Sequence, residues 1–252
     1  MIATTDHDGG IRELRLDRPP VNALSPDLVV ALREAVLRAP KEGARALVLS
    51  GSNGRFSGGL DVVHLLAMDR AGIGQLWRDF YQLLLALAGS KVPIAAAITG
   101  HSPAGGAVLS LYCDYRIMAD GEYKIGFNEV QVGIPMPLAI LRCVERLVGA
   151  RQAERLCVGG LLISPEEALR IGLVDELTPL DQVVPRGTEW ATGIVALPPN
   201  AMSRTREAAR AGLIRLMEEG MASENEILVE NWFSGETQST LRSVVNRLKK
   251  KG

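Results

Sequence analysis

Two glycine loops and one glutamate are the residues of this chain best suited to chemistry. The first loop is Phe56-Ser57-Gly58-Gly59-Leu60-Asp61 and the second is Pro103-Ala104-Gly105-Gly106. Each follows an apolar, strand-like run and precedes a helical pattern. Backbone N–H groups at such a helix start point outward and carry partial positive charge. Two loops brought together would offer two donors to one oxygen, which is an oxyanion hole. Spacing alone equally allows two tight strand-to-helix turns in which glycine serves the backbone only. Glu129 lies in the largely uncharged stretch Gly126-Phe127-Asn128-Glu129-Val130-Gln131-Val132-Gly133-Ile134-Pro135. A carboxyl group in apolar surroundings has a raised pKa and can carry protons. A solvated loop glutamate fits the same pattern.

Other chemistries find little support. The three histidines, His7, His64 and His101, have no metal-ligand spacing, so no metal site is expected. Cys113, Cys143 and Cys157 are scattered and form no CxxC, which fits a reducing compartment and a cytoplasmic protein. Ser102 sits on a loop that partly mimics a hydrolase elbow, but no histidine follows His101 and Pro103 removes an N–H the hole would need. With 28 basic and 29 acidic residues, nothing points to nucleic acid or an anionic membrane. No apolar run approaches the ~20 residues of a membrane span, and the N-terminus lacks a signal-peptide pattern.

These residues need a scaffold, and 252 residues are enough for one sizeable core. Asp8-Gly9-Gly10 predicts a hairpin between strands near Ile2–Thr5 and Ile11–Leu16. Ser25-Pro26-Asp27 predicts a helix start, with Leu28, Ala31, Leu32 and Leu37 on its apolar face and a stop at Pro40. Strands are expected over Arg45–Ser50, Ile94–Ile98, Tyr115–Ala119 and Tyr123–Phe127, with a long helix over about residues 72–89. Ser164-Pro165 starts another helix, Asn200 is expected to cap one, and an amphipathic helical tail runs from Ser223 to Lys251. Strands and helices alternate early and helices dominate late, which is an α/β core with a helical C-terminal region.

Several motifs in order carry a family likeness. They are Leu16-Asp17-Arg18-Pro19 with Asn22-Ala23-Leu24, then FSGGLDV (Phe56–Val62), SPAGGAVLSLYCDYRIMAD (Ser102–Asp120) and IGFNEVQVGIP (Ile125–Pro135). Through them the chain resembles the crotonase superfamily of enoyl-CoA hydratases and isomerases along nearly its whole length. The resemblance implies an α/β spiral of repeated strand-strand-helix units over residues 1–195. It also implies a helical region over 196–252 that builds a homotrimer or a dimer of trimers. It carries the two oxyanion N–H donors onto Gly58 and Gly105, holding the thioester oxygen of an acyl-CoA. Asn22, Ala23, Leu24, Gly59, Leu60, Asp61 and Val62 would line the CoA side, with Asp61 as a helix cap. Coenzyme A is part of the substrate, and no separate cofactor is implied. Pocket walls are expected from the helix over 72–89 and from Met136–Leu141.

The resemblance also separates two activities. Hydratases of the family use two glutamates, the first in a GGxE motif where this chain has Gly105-Gly106-Ala107-Val108. Val108 can neither orient nor deprotonate water. Moving a double bond needs one proton removed and one returned, which a single carboxylate can do. The chain looks most like the delta-3,delta-2-enoyl-CoA isomerase branch, with Glu129 as the base converting 3-enoyl-CoA to 2-trans-enoyl-CoA. The alternatives are another crotonase reaction such as hydration, with the missing acid supplied elsewhere in the chain (Asp120 and Glu122 are candidates that nothing in the sequence places at the site), or a catalytically silent acyl-CoA-binding protein.

Overall fold

The protein is described by a computed structural model covering residues 1–249. Its ten strands are β1 (Ile2–His7), β2 (Ile11–Leu16), β3 (Ala46–Ser50), β4 (Gly54–Arg55), β5 (Ile94–Ile98), β6 (Gly100–Pro103), β7 (Tyr115–Ala119), β8 (Ile125–Gly126), β9 (Leu162–Ile163) and β10 (Glu176–Thr178). The helices are α1 (Pro26–Arg38), α2 (Val62–Leu65), α3 (Arg70–Ala88), α4 (Gly105–Leu111), α5 (Leu138–Val148), α6 (Ala150–Gly159), α7 (Pro165–Arg170), α8 (Val183–Val195), α9 (Pro199–Ser223), α10 (Asn225–Trp232) and α11 (Gly235–Lys249). One sheet has the order β1-β2-β3-β5-β7-β10 and the other β4-β6-β8-β9. After the β1–β2 hairpin, successive strands from β3 to β8 alternate between the sheets. β3 and β4 are followed by α2 and α3, β5 and β6 by α4, and β7 and β8 by a 3-10 turn and α5. Equivalent strands stack in parallel register, Ser50 opposite Ala97 in one sheet and Gly54 opposite Gly100 in the other. This is the strand-strand-helix spiral of the crotonase fold.

β5 is apolar throughout, and β3 is apolar up to its last residue, Ser50, because both faces of their sheet are covered. The larger core lies on the side of α1 and α3, and a smaller one lies under α8, where Val183 and Ala191 meet Val48, Ala95 and Ile117. The chain must turn sharply from one sheet to the other, and Gly100 makes the turn between β5 and β6. Its φ is +138°, and a methyl group there would stand 2.1 Å from the backbone carbon of Gly54. Backbone cannot yield as a flexible side-chain end can. Gly100→Ala is expected to destabilise the fold by roughly 4 kcal/mol or more, in the range kept for backbone strain and core clashes. Urea unfolding followed by circular dichroism reads this, and a loss under 1 kcal/mol would contradict the corner argument.

Several local expectations shift. Ser25 does cap α1, accepting the Leu28 N–H, but the buried face is Leu28, Val29, Leu32, Ala35 and Val36. Leu37 is 49% exposed, because α3 covers a stripe displaced by one position. The long helix starts at Arg70, two residues early, where Asp69 accepts the Gly72 N–H. Asn200 caps nothing. α9 begins at Pro199, whose fixed φ and missing N–H suit a first helical position. The predicted tail breaks at Phe233–Ser234 into α10 and α11. Lys250 and Lys251 lie outside the described residues.

The helical region from Pro199 onward folds back on its own chain. Arg210, on α9, is buried and donates to Ala88 O at the end of α3 (2.8 Å), to Tyr112 O at the end of α4 and to Asp114 (3.0 Å). Arg206 adds two bonds to Asp114 at 2.8 and 2.9 Å. A cation at helix C-termini is favoured by the helix dipoles and satisfies orphan carbonyls. Arg210→Met should lower stability by about 3 kcal/mol, the cost of leaving buried partners without a donor. Thermal unfolding checks this, and a change within error would show that water replaces the guanidinium. Trp232, 1% exposed, is part of the same core.

Candidate active site

The two glycine loops meet. A methyl group on Gly105 would lie 3.3 Å from Gly59 Cα and 3.5 Å from Leu60 N. The first loop is held from behind by Asn22, whose φ is +53° and whose side chain is buried. Its amide donates to Ser52 Oγ, Arg55 O and Phe56 O, and its oxygen accepts the Arg18 N–H. Ser57 Oγ donates to Asn22 O and accepts the Gly59 N–H.

The N–H groups of the loop are allocated by this frame. Gly58 N–H donates to Val21 O at 2.7 Å, so it is engaged by its own protein, which corrects its assignment as a donor to a ligand. Leu24 and Leu60 form a parallel bridge in which Leu24 N–H donates to Gly59 O and Asp61 N–H to Leu24 O. In such a bridge the N–H of the middle residue, Leu60, faces away from the partner strand. It donates to no other atom among the described residues, and neither does Gly105 N–H at the first position of α4. The free pair is therefore Leu60 and Gly105. The doublet Gly58-Gly59 carried a hint of this, since a φ of +81° at Gly59 turns the following N–H outward.

Both free N–H groups border a largely apolar cavity of about 460 Å³, within the size range of ligand sites. Of the expected residues, Gly58, Leu60, Asp61, Val62, Ala23, Gly105, Val108 and Glu129 line it. Asn22, Leu24 and Gly59 do not. Asn22 and Leu24 are fully buried behind the loop, and Gly59 faces the second loop. Trp77 and Phe80 of α3 and Pro137 and Ile140 near the start of α5 form apolar walls, as the expected ranges implied. Sequence reasoning missed Val244 of α11, which reaches the cavity from the C-terminal region.

Two carboxylates line the cavity. Asp61 is committed. Its Oδ1 accepts the His64 N–H as the cap of α2, and its Oδ2 pairs with Arg18 at 2.6 Å. Glu129 opens a 3-10 turn, Glu129–Val132, and its buried Oε2 has no partner among the described residues. Loss of solvent pushes its pKa up to about 7, against a small opposing effect from its own backbone N–H. Asp120 and Glu122 are exposed and lie outside the cavity lining, so neither supplies a second acid there. No group of three or more metal-ligating side chains occurs among the described residues.

Spiral, loops and carboxylate together define an α/β-spiral enzyme. The chain belongs to the enoyl-CoA hydratase/isomerase family, whose model matches residues 6–251. It is 32% identical over 258 residues to mouse (Mus musculus) mitochondrial enoyl-CoA delta isomerase 1, covering 100% of this chain and 88% of the mouse protein. It is 31% identical over 245 residues to a probable enoyl-CoA hydratase of Mycobacterium tuberculosis (strain ATCC 25618 / H37Rv), covering 94% and 90%. The crystal structure of human mitochondrial delta3-delta2-enoyl-CoA isomerase superposes with a TM-score of 0.93 at 31% identity, over 99% of this chain and 98% of that one.

Proposed function

We propose that the protein converts a 3-enoyl-CoA thioester into its 2-trans isomer, with Glu129 carrying the proton from the alpha to the gamma carbon. The observation that carries this reading is that Glu129 is the one unengaged carboxylate lining the cavity among the described residues. Deprotonation alpha to a thioester puts negative charge on its oxygen, giving a dienolate. The N–H groups of Leu60 and Gly105 are free to receive that oxygen. The base that removed the proton is then an acid of matched strength, and a pKa near 7 suits both steps. The apolar walls hold an acyl chain and keep water from the dienolate. Hydration would need a second group to hold and split water, and the position of the family's GGxE glutamate carries Val108 here, a cavity-lining residue that is 2% exposed.

The coenzyme A arm runs past Arg18, Ala23 and Val62, which line the cavity. The C-terminal helices serve oligomerisation as well as their own chain. A cytoplasmic location is supported by three buried cysteines that are all free thiols. Among the described residues no helix is long and apolar enough to cross a membrane. The deciding assay offers purified protein a 3-enoyl-CoA and, separately, a 2-enoyl-CoA in water. Conjugation absorbance should rise with the first and stay level with the second. Loss of absorbance from the 2-enoyl-CoA at a comparable rate would replace isomerisation by hydration.

A further inference from the structure

Trp77 borders two separate spaces. Its side chain, 3% exposed, lines the active-site cavity beside Phe80, the two rings meeting edge to face at 6.2 Å. The same side chain also borders a second void, lined by Arg78 and Tyr81 of α3, Gly220 and Met221 of α9 and Asn225 of α10. That void is too narrow for a water molecule. Trp77 is the one side chain common to both linings among the described residues.

The indole N–H has no hydrogen-bond partner among the described residues, so packing alone holds the ring and its removal strands no polar group. Behind it α9 comes close through Gly220, where a methyl group would stand 2.4 Å from Ala139 Cβ. Met221 beside it is an unbranched, adaptable side chain. An acyl chain that passed a smaller side chain at this position would meet Arg78, Tyr81, Gly220, Met221 and Asn225, of which Met221 can move aside.

We propose that Trp77 sets the acyl-chain length this enzyme accepts, closing the cavity against long chains and confining the substrate to short and medium 3-enoyl-CoA thioesters. This rests on the acyl-thioester reading of the site. Trp77→Leu joins the two spaces, and Trp77→Phe opens them partly while keeping an aromatic ring in the core.

The experiment compares kcat/KM for 3-hexenoyl-, 3-octenoyl- and 3-dodecenoyl-CoA in the wild type and both variants, with circular dichroism to confirm folding. Trp77→Leu is expected to raise the dodecenoyl-to-hexenoyl ratio by about tenfold or more, the scale on which apolar pockets discriminate methylenes. Trp77→Phe should move it in the same direction by less. A parallel measurement uses no chemistry: displacement of a fluorescent acyl-CoA by saturated hexanoyl- and dodecanoyl-CoA. If the wild type isomerises no 3-enoyl-CoA, the functional reading fails and displacement still tests the gate. An unchanged length profile in a folded Trp77→Phe or Trp77→Leu protein overturns the proposal. So does a wild type that prefers dodecanoyl to hexanoyl chains.

Discussion

Glu129→Gln is expected to lower kcat for 3-enoyl-CoA isomerisation by roughly 10²- to 10⁴-fold, the usual contribution of a positioned proton-transfer group. Binding of the CoA thioester should change little, because glutamine fills the same volume. The same substitution should stabilise the protein at alkaline pH. Burial raises the Glu129 pKa from 4.5 to about 7. Between those values the folded protein retains a proton that the unfolded chain releases. Its stability therefore falls as pH rises through the window. Above pH 7 the buried, ionised carboxylate costs on the order of 3 kcal/mol, which the neutral amide avoids. The variant should thus melt higher than the wild type near pH 8 and about equally near pH 4.5. In the wild type, kcat/KM should rise with pH and level off above about 7 as the base ionises. Turnover that survives Glu129→Gln would remove the base from the mechanism. Equal melting temperatures at pH 8 would mean that the carboxylate is solvated.

The second large effect concerns backbone atoms. Exchanging the amide nitrogen of Leu60 or Gly105 for an ester oxygen deletes one N–H and leaves every side chain in place. Either exchange should lower kcat by roughly 10²- to 10³-fold, the loss seen when one oxyanion donor is removed. The same exchange at Gly58 should cost about 1 kcal/mol of stability through its bond to Val21 O, with kcat nearly unchanged. A kcat collapse at position 58 and none at position 60 would reverse the assignment. This trio separates a donor aimed at substrate from one that holds the loop.

The Gly58 correction shows where one-dimensional reading stops. Both loops and the lone Glu129 were legible from residue types and order, but the short strands β4 and β6, which lead into the loops, were not. The loop motif does not say which of its N–H groups is free. That depends on Val21 and Leu24, more than thirty residues away, whose carbonyls take the N–H groups of Gly58 and Asp61. Asn22 was misplaced for the same reason. The resemblance set it on the CoA side of the site, but folding buries it and assigns its amide to Ser52, Arg55 and Phe56. The Leu37 error is of another kind, since helical periodicity defines an apolar stripe only to within a position until the covering helix is known.

The chemical inventory was determined along the chain: two glycine loops, one carboxylate in apolar company, and Val108 where a second acid would stand. The loops and the carboxylate follow from local composition and order, and the place of Val108 from the likeness to the family's GGxE motif. Their working state was decided by tertiary structure. Burial raised the Glu129 pKa, Arg18 neutralised Asp61, cross-loop bonds left Leu60 and Gly105 with free N–H groups, and α3, α5 and α11 closed the cavity. Each of these is a property of neighbours distant in sequence. Desolvation, pairing and enclosure exist only once the chain has brought those neighbours together.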